Sequence, residues 1–369
     1  MPDSPSLLAR LPRPLLAVVA SAFAVATLIG FWPRLFPEAD AHLGNPRLTV
    51  ALPNAKALYY NPAALSWLLT QRPDLLTAAD RDPQSDRTRS FAQAVLEPKL
   101  FRRLDRESRF DTVLLVGDPS QYGPLLDHLV ETRDFRLAYV DHTSLVFVRD
   151  APRAWTMEDF AAVRTAMSGA SKRKRSAFLA LTASKLSAAH RNGEAKTLLD
   201  EALALDSRSA EAWSALGSYQ LERGEWAAAL SATERALSID REHLGALATR
   251  AQAFVSTKRF NEAYAISQRL VEKLPDDPNL LFKHAQIAHQ ANAFKTEIAT
   301  LEKLIALAEA VRWPVTGYRF YLAQAHTAAG NGVPALENFT RVLADPELPA
   351  DQRQFSLESI ERIKRRTGL

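Results

Sequence analysis

The carboxyl-terminal half of the chain repeats itself every 34 residues, and that period constrains the fold more than any other feature. With Ser176 as a first place, repeats begin again at Ala210, Leu244 and Pro278 and, after four inserted residues, at Thr316. The eighth place is small throughout: Ala183, Gly217, Ala251, Ala285 and Ala323. So is the twentieth, as Ala195, Ala229, Ala263 and Ala335, with Glu297 the exception. The twenty-seventh is apolar, as Ala202, Ala236, Leu270, Leu304 and Val342. Small residues let two antiparallel helices approach closely, and Trp226, Phe260 and Phe294 at the seventeenth place are spaced to fill the wedge between them. Such helix pairs touch only their neighbours. Residues 176–349 are therefore expected to form an all-α solenoid of five pairs, 176–209, 210–243, 244–277, 278–315 and 316–349. Residues 350–369, with Phe355, Ile360 and Ile363, fit a capping helix.

The pattern resembles the tetratricopeptide repeat. Trp213-x-x-Leu216-Gly217 and Leu274-Pro275 stand at that family's helix-opening and repeat-closing positions. Arg250 and His284 depart from it at the usually apolar seventh place, and Glu297 at the twentieth, so repeats three and four are expected to pack more loosely. The resemblance implies a peptide-binding groove lined from the first helix of each repeat. Here those places hold Ser184 and Ser187; Glu211, Ser214, Ser218 and Glu222; Gln252 and Ser256; Asn279, Phe282, Gln286, His289 and Gln290; Phe320 and Gln324. These places include no lysine, so a carboxylate clamp is not expected. Side-chain amides and hydroxyls suit the main chain of an extended peptide, with Phe282 and Phe320 as apolar sockets. The partner so implied is a protein.

The amino terminus is a different material. Pro14 to Pro33 is free of charge, and a helix of that length spans roughly 30 Å, the thickness of a bilayer's hydrocarbon core. Nine large apolar residues, at about 0.3–0.6 kcal/mol each, favour insertion. Residues 14–34 are expected to anchor the chain behind a cytoplasmic tail at 1–13. Arg10 and Arg13 before the span, against Arg34 after it, put the carboxyl-terminal part outside a bacterial-type inner (plasma) membrane. The rivals are a cleaved signal peptide, with Ala39-Asp40-Ala41 as its best site, and a buried helix in a soluble cytoplasmic protein. Ala22, Ala26 and Gly30 form a small-xxx-small ridge on which two such helices would meet in a homodimer. Residues 35–46, with Pro37, Gly44 and Pro46, are a tether.

Residues 47–150 are expected to form a small α/β module. Arg47–Leu52 alternates as a strand, Asn61-Pro62 signals an N-cap and first helical position, and Phe91 to Leu104 is helical in period with a break at Pro98. Thr112–Val116 is a continuous apolar run, the mark of a strand covered on both faces. Asp118-Pro119 opens a helix carrying Leu125, Leu126, Leu129 and Val130; Phe135–Val140 and Leu145–Val148 then pair across Asp141-His142-Thr143-Ser144. A β-α-β-β core results, followed by a linker helix in 151–175.

Three runs resemble the extracytoplasmic carboxyl-terminal region of polytopic mannosyltransferase-like membrane glycosyltransferases. They are Phe110-Asp111-Thr112-Val113-Leu114-Leu115, Phe135-Arg136-Leu137-Ala138-Tyr139-Val140-Asp141 and Val146-Phe147-Val148-Arg149. In those enzymes the catalytic acids lie between membrane helices that this chain lacks, so no catalytic role carries over.

Chemistry is sparse. The chain has no Cys, which excludes disulfides, thiolate metal sites and cysteine nucleophiles, and its net charge of +4 is too small for a dedicated nucleic-acid binder. Its eight histidines are scattered. Gly117-Asp118-Pro119-Ser120-Gln121-Tyr122-Gly123 follows a strand, but without the glycine spacing and lysine of a phosphate loop it is a turn. Asp80-Arg81-Asp82 lacks the glycine and glutamate of a calcium loop. Lys172–Arg175 and Arg362–Arg366 are basic runs of a linker and a helix end. No catalytic residue, cofactor or metal is expected. The expectation is a membrane-anchored extracytoplasmic scaffold that docks partner proteins in envelope assembly or glycan transfer. The alternatives are a non-catalytic glycan- or lipid-linked-sugar-binding accessory of a membrane glycosyltransferase, and a soluble cytoplasmic adaptor.

Overall fold

The computed structural model describes residues 52, 55–81, 85–132, 134–310, 313–346 and 348–367. The expected anchor at 14–34, the expected tether and Ala22/Ala26/Gly30 ridge, and the strand expected at 47–52, save Leu52 itself, lie outside the described residues. Among the described residues no helix is long and apolar enough to cross a membrane. The chain forms two compact units, divided between Ala246 and Leu247.

In the first unit, β1 (Leu58–Tyr60) precedes α1 (Leu65–Gln71), α2 (Asp86–Ala94) and α3 (Pro98–Ser108). Then come β2 (Thr112–Val116), α4 (Gly123–Glu131), β3 (Phe135–Val140) and β4 (Ser144–Arg149). The sheet order is β1-β2-β4-β3, with β1 parallel to β2 and the other pairs antiparallel. The expected β-α-β-β core is present, joined by β1. Every residue of β2 is buried, as a continuous apolar run requires.

The polar residues of this sheet serve the backbone. Asn61, expected to cap a helix with its side chain, instead gives Nδ2 to the Val116 carbonyl (2.7 Å) and takes the Val116 N–H on Oδ1 (2.8 Å). An Asn amide has the donor and acceptor of a peptide group, so it extends the parallel ladder where Pro62 would end it. Asp141 is fully buried and accepts from the N–H and hydroxyl groups of both Thr143 and Ser144, and from the Tyr139 hydroxyl. Arg149 grips Asp105 with Nη2 (2.6 and 2.7 Å) and lies over the Phe135 ring. Several residues in the three glycosyltransferase-like runs thus have folding roles here.

The helices continue as α5 (Met157–Ala166), α6 (Lys172–Ala188), α7 (Asn192–Leu205), α8 (Ala210–Glu222) and α9 (Trp226–Ile239). One hydrophobic cluster runs unbroken from Leu52 through the sheet and α5 into α6, α7 and α8, ending at Tyr219. The segment expected to be a linker contributes Trp155, Phe160 and Val163 to it, and the Phe160 ring stacks on Phe178 of α6 at 5.8 Å. Sequence periodicity marks where a repeat begins, not where a core ends.

The division falls within α10 (Leu244–Ser256). The second unit then has α11 (Phe260–Lys273), α12 (Pro278–Gln290), α13 (Phe294–Ala310), α14 (Thr316–Ala328), α15 (Gly332–Leu343) and α16 (Ala350–Thr367). The four inserted residues lengthen α13, which at 17 residues outruns the 14 of α11. The core here is in patches. One gathers Ala285, Leu301, Ile305, Leu322 and Ala325; another joins Phe320, Phe339 and Val342 to Ile363 of the capping helix.

A backbone signature marks all five repeats. The fifteenth place is left-handed each time, at His190, Gly224, Lys258, Asn292 and Gly330. The next residue's N–H bonds back five residues, to the carbonyls of Leu186, Gln220, Phe254, Ala288 and His326. This helix-closing geometry favours glycine, which only two of the repeats carry. The eighth place is as tight as its composition requires, for a Cβ on Gly217 would meet the Thr233 methyl at 2.8 Å. Trp226 departs from expectation: it opens α9 and is 45% exposed, so it does not fill a wedge between helices.

Candidate functional site

Repeat periodicity places one residue of α6 at odds with its equivalents. At the tenth place the repeats carry Tyr219, Ala253, Ile287 and Ala325, all buried, but the first carries Lys185, equally buried. Its Nζ donates to the Gly117 carbonyl at 2.7 Å, across the turn that follows β2. Desolvation pulls its pKa down to about 8, against the opposing pull of Asp118 and Asp141. Gly117 holds φ at +105°, a conformation that suits glycine, and its carbonyl also accepts from the Tyr122 hydroxyl. Lysine and glycine together fasten the loop to the first repeat.

That fastening makes a cleft of about 660 Å³. One wall is the loop and the start of α4, with Asp118, Pro119, Ser120, Gly123 and Asp127. The other is the face of α6 and α8 carrying Ser184, Ser187, Ser218 and Glu222, with His190, Asn192 and Arg223 at the edge. The four face residues are groove places expected from the repeats, and the structure brings them together. The glycine-flanked loop is a turn, as expected, with Asp118 accepting from the Ser120 N–H (2.8 Å), but nothing in its residues signals that it faces the repeats.

The electrostatics of the cleft are mixed. Ser187 donates its hydroxyl to Glu222. Glu222 is open to solvent on one side, yet its carboxyl lies deep enough for desolvation to raise its pKa; Ser187 and His190 oppose the rise and Asp118 adds to it. His190 Nε2 stands 3.4 Å from Asp127, and Arg223 pairs with Glu225. Ser184 donates to the Ala180 carbonyl, so like Ser187 it offers its oxygen as an acceptor, and with the carboxylates this suits the N–H groups of an extended chain.

The remaining groove residues have other surroundings. Glu211 bonds His243 (3.0 Å), whose pKa rises because that carboxylate outweighs desolvation, and Ser214 is buried. In the second unit Gln252, Asn279, Gln286 and Gln290 are exposed, while Ser256 and Gln324 are half-buried. Phe282 is half-buried against Tyr318 and Tyr321. Phe320, expected as a socket, is buried between Phe339 and Phe355, so it holds the cap in place. Glu297 is also buried, and its carboxylate accepts from Nδ1 of His289. Burial raises its pKa, against the His289 contact. Asp80 is buried in the module and takes bonds from Thr77, Tyr60 and Arg87. Among the described residues no group of three or more His, Asp or Glu could hold a metal ion.

The tetratricopeptide repeat family matches residues 220–287, in agreement with the repeat geometry. No curated protein sequence matches the chain. Among solved structures, YrrB, described as a TPR protein with an unusual peptide-binding site, is 17% identical (50% of this chain, 90% of that one; TM-score 0.41). MamA from Desulfovibrio magneticus RS-1 is 15% identical (51% and 96%; TM-score 0.40). A thermophilic TPR protein of Thermus thermophilus is 19% identical (48% and 95%; TM-score 0.35).

Proposed function

We propose that this chain, which carries tetratricopeptide repeats, is a non-catalytic scaffold that docks a partner polypeptide in the cleft between its 117–123 loop and the first two repeats. The observation that carries this reading is the convergence of Ser184, Ser187, Ser218 and Glu222 on one open cleft walled by a second structural module. A groove of repeats alone is open at its end. Here the loop forms one wall and limits how a bound segment can lie. The hydroxyls pair with the segment's main chain, and the carboxylates select against acidic side chains.

The uncharged run at 14–33 supports an anchor in an inner (plasma) membrane, with the two units on the extracytoplasmic side. Tethered there, the cleft would meet membrane-bound partners at raised effective concentration, which suits envelope assembly or glycan transfer. A carbonate wash tests the anchor: retention in the membrane pellet is expected, and release contradicts it.

Docking is tested in the full chain with a photo-crosslinking residue at Ser218 and, as control, at exposed Lys196. A discrete adduct formed only from position 218, and lost when Ser184→Trp fills the cleft, is the expected result. Equal labelling from both positions, or labelling indifferent to Ser184→Trp, would move recognition elsewhere.

A further inference from the structure

Repeat four departs from its family pattern at His284, and the departure is built in rather than tolerated. His284 is 2% exposed, its ring stacked on Tyr264 of α11 at 5.5 Å and 14°. Its Nδ1 lies 2.8 Å from the Ser267 hydroxyl oxygen. Ser267 donates its own proton to the Tyr264 carbonyl (2.9 Å), so its oxygen can only accept, and the imidazole must carry its proton on Nδ1. The chain His284–Ser267–Tyr264 thereby places one imidazole proton on Nδ1 at the junction of α11 and α12, so that a second can enter only at Nε2. A second bond, Tyr264 hydroxyl to Thr296 hydroxyl at 2.9 Å, ties the same tyrosine to α13.

The charges around this junction do not favour a second proton. His284 borders a cavity of about 480 Å³ whose other lining includes Tyr264 and Glu272 of α11 and Lys295 and Lys303 of α13. Lys303 is paired with Asp276 in the loop between α11 and α12 (3.0 Å). Of the acids on this stretch of α13, Glu297 is engaged by His289 and Glu302 acts on His326 of α14. A charged imidazole would thus share its cavity with two lysines and one glutamate.

The geometry points to an acid-sensitive joint between repeats three and four, in which protonation of His284 unstacks Tyr264 and loosens α11 from α12 and α13. Burial lowers the His284 pKa below its ordinary value of 6.5, consistent with this arrangement. The sign follows from linkage. Below 6.5 the unfolded chain binds a proton that the folded joint resists, so stability is full at higher pH and falls as pH drops through that value towards the folded one. Glu297 acts in the opposite sense: its raised pKa means that acid relieves a buried charge, so it cannot account for loosening. The joint belongs to the second unit and the cleft to the first. The joint stands without the docking reading.

Hydrogen exchange of the full chain at pH 7.5 and 5.5, corrected for intrinsic rates, tests the joint. Amides of α11 to α13 should lose protection about tenfold more than those of α14 to α16 on acidification, a change of roughly 1.4 kcal/mol. His284→Leu, which restores the residue type found at Leu216 and Leu322, should abolish that difference. Equal changes in wild type and variant would overturn the proposal. So would an NMR titration of wild-type His284 showing the ordinary imidazole value, a measurement that needs no variant to fold.

Discussion

The two units bury polar groups in different ways. In the first, Asp80, Asp141 and Lys185 are enclosed in a core that runs unbroken from the sheet into the repeats; Asp141 closes its own turn, and the bonds of Asp80 and Lys185 tie together segments distant in sequence. Tyr60 reaches Asp80 across 20 residues and Lys185 reaches Gly117 across 68. In the second, the hydrophobic core is in patches, and the buried polar residues His284 and Glu297 bond within a repeat or to the next. A core made by long-range closure couples the segments it joins, whereas a stack of local pairs can lose one joint and keep the rest. The first unit is built for a fixed cleft and the second for local adjustment.

Five substitutions sharpen or break that contrast. The largest effect is expected from Asp141→Ala, which leaves the N–H groups of Thr143 and Ser144 without their acceptor; the first unit should lose about 3 kcal/mol or more in denaturant unfolding. A loss below about 1 kcal/mol would contradict that. Lys185→Met should act in the other direction, stabilising by about 1–3 kcal/mol at neutral pH because an apolar chain replaces a desolvated charge. Its diagnostic is pH. With the folded pKa at about 8 and the ordinary value at 10.5, the unfolded chain holds more protons between those limits. Wild-type stability should therefore rise with pH across that window, and the variant should lose the rise.

Gly217→Ala, which installs the residue that other repeats carry at this place, should destabilise by about 1–2 kcal/mol in thermal melts, because Thr233 blocks the new methyl. The smallest effects are gains. His190→Gly in the first unit and Lys258→Gly in the second should each stabilise by about 0.5–1 kcal/mol by relieving left-handed strain, since the helix closure is the same in both.

The repeats were legible because a period of 34 writes the same contact five times. The strands were legible where burial on both faces forces a continuous apolar run, as in β2. The left-handed fifteenth place was hidden because His190, Lys258 and Asn292 stand where glycine would have announced it. The cleft was half legible: Ser184, Ser187, Ser218 and Glu222 follow from repeat spacing, but Asp118 and Ser120 approach them only through tertiary closure. One signal was available and unused, a lysine at a tenth place that is otherwise Tyr, Ala or Ile. A charge at a core position implies a partner from outside the repeat, and that partner is the loop walling the cleft. Repeat four keeps His284 and Glu297 in hydrogen bonds, and Arg250 of repeat three lies over the Phe254 ring.

The central claim is that sheet and first repeats share one core and so hold the cleft rigid. Native-state hydrogen exchange on the full chain with Leu114→Ala, a substitution at the centre of β2, tests it most directly. Protection should fall together, by similar free energies, in β2, β4, α6 and α8. Protection lost in the strands but unchanged in α6 and α8 would mean that the module and the repeats are separate bodies, and the claim would fail.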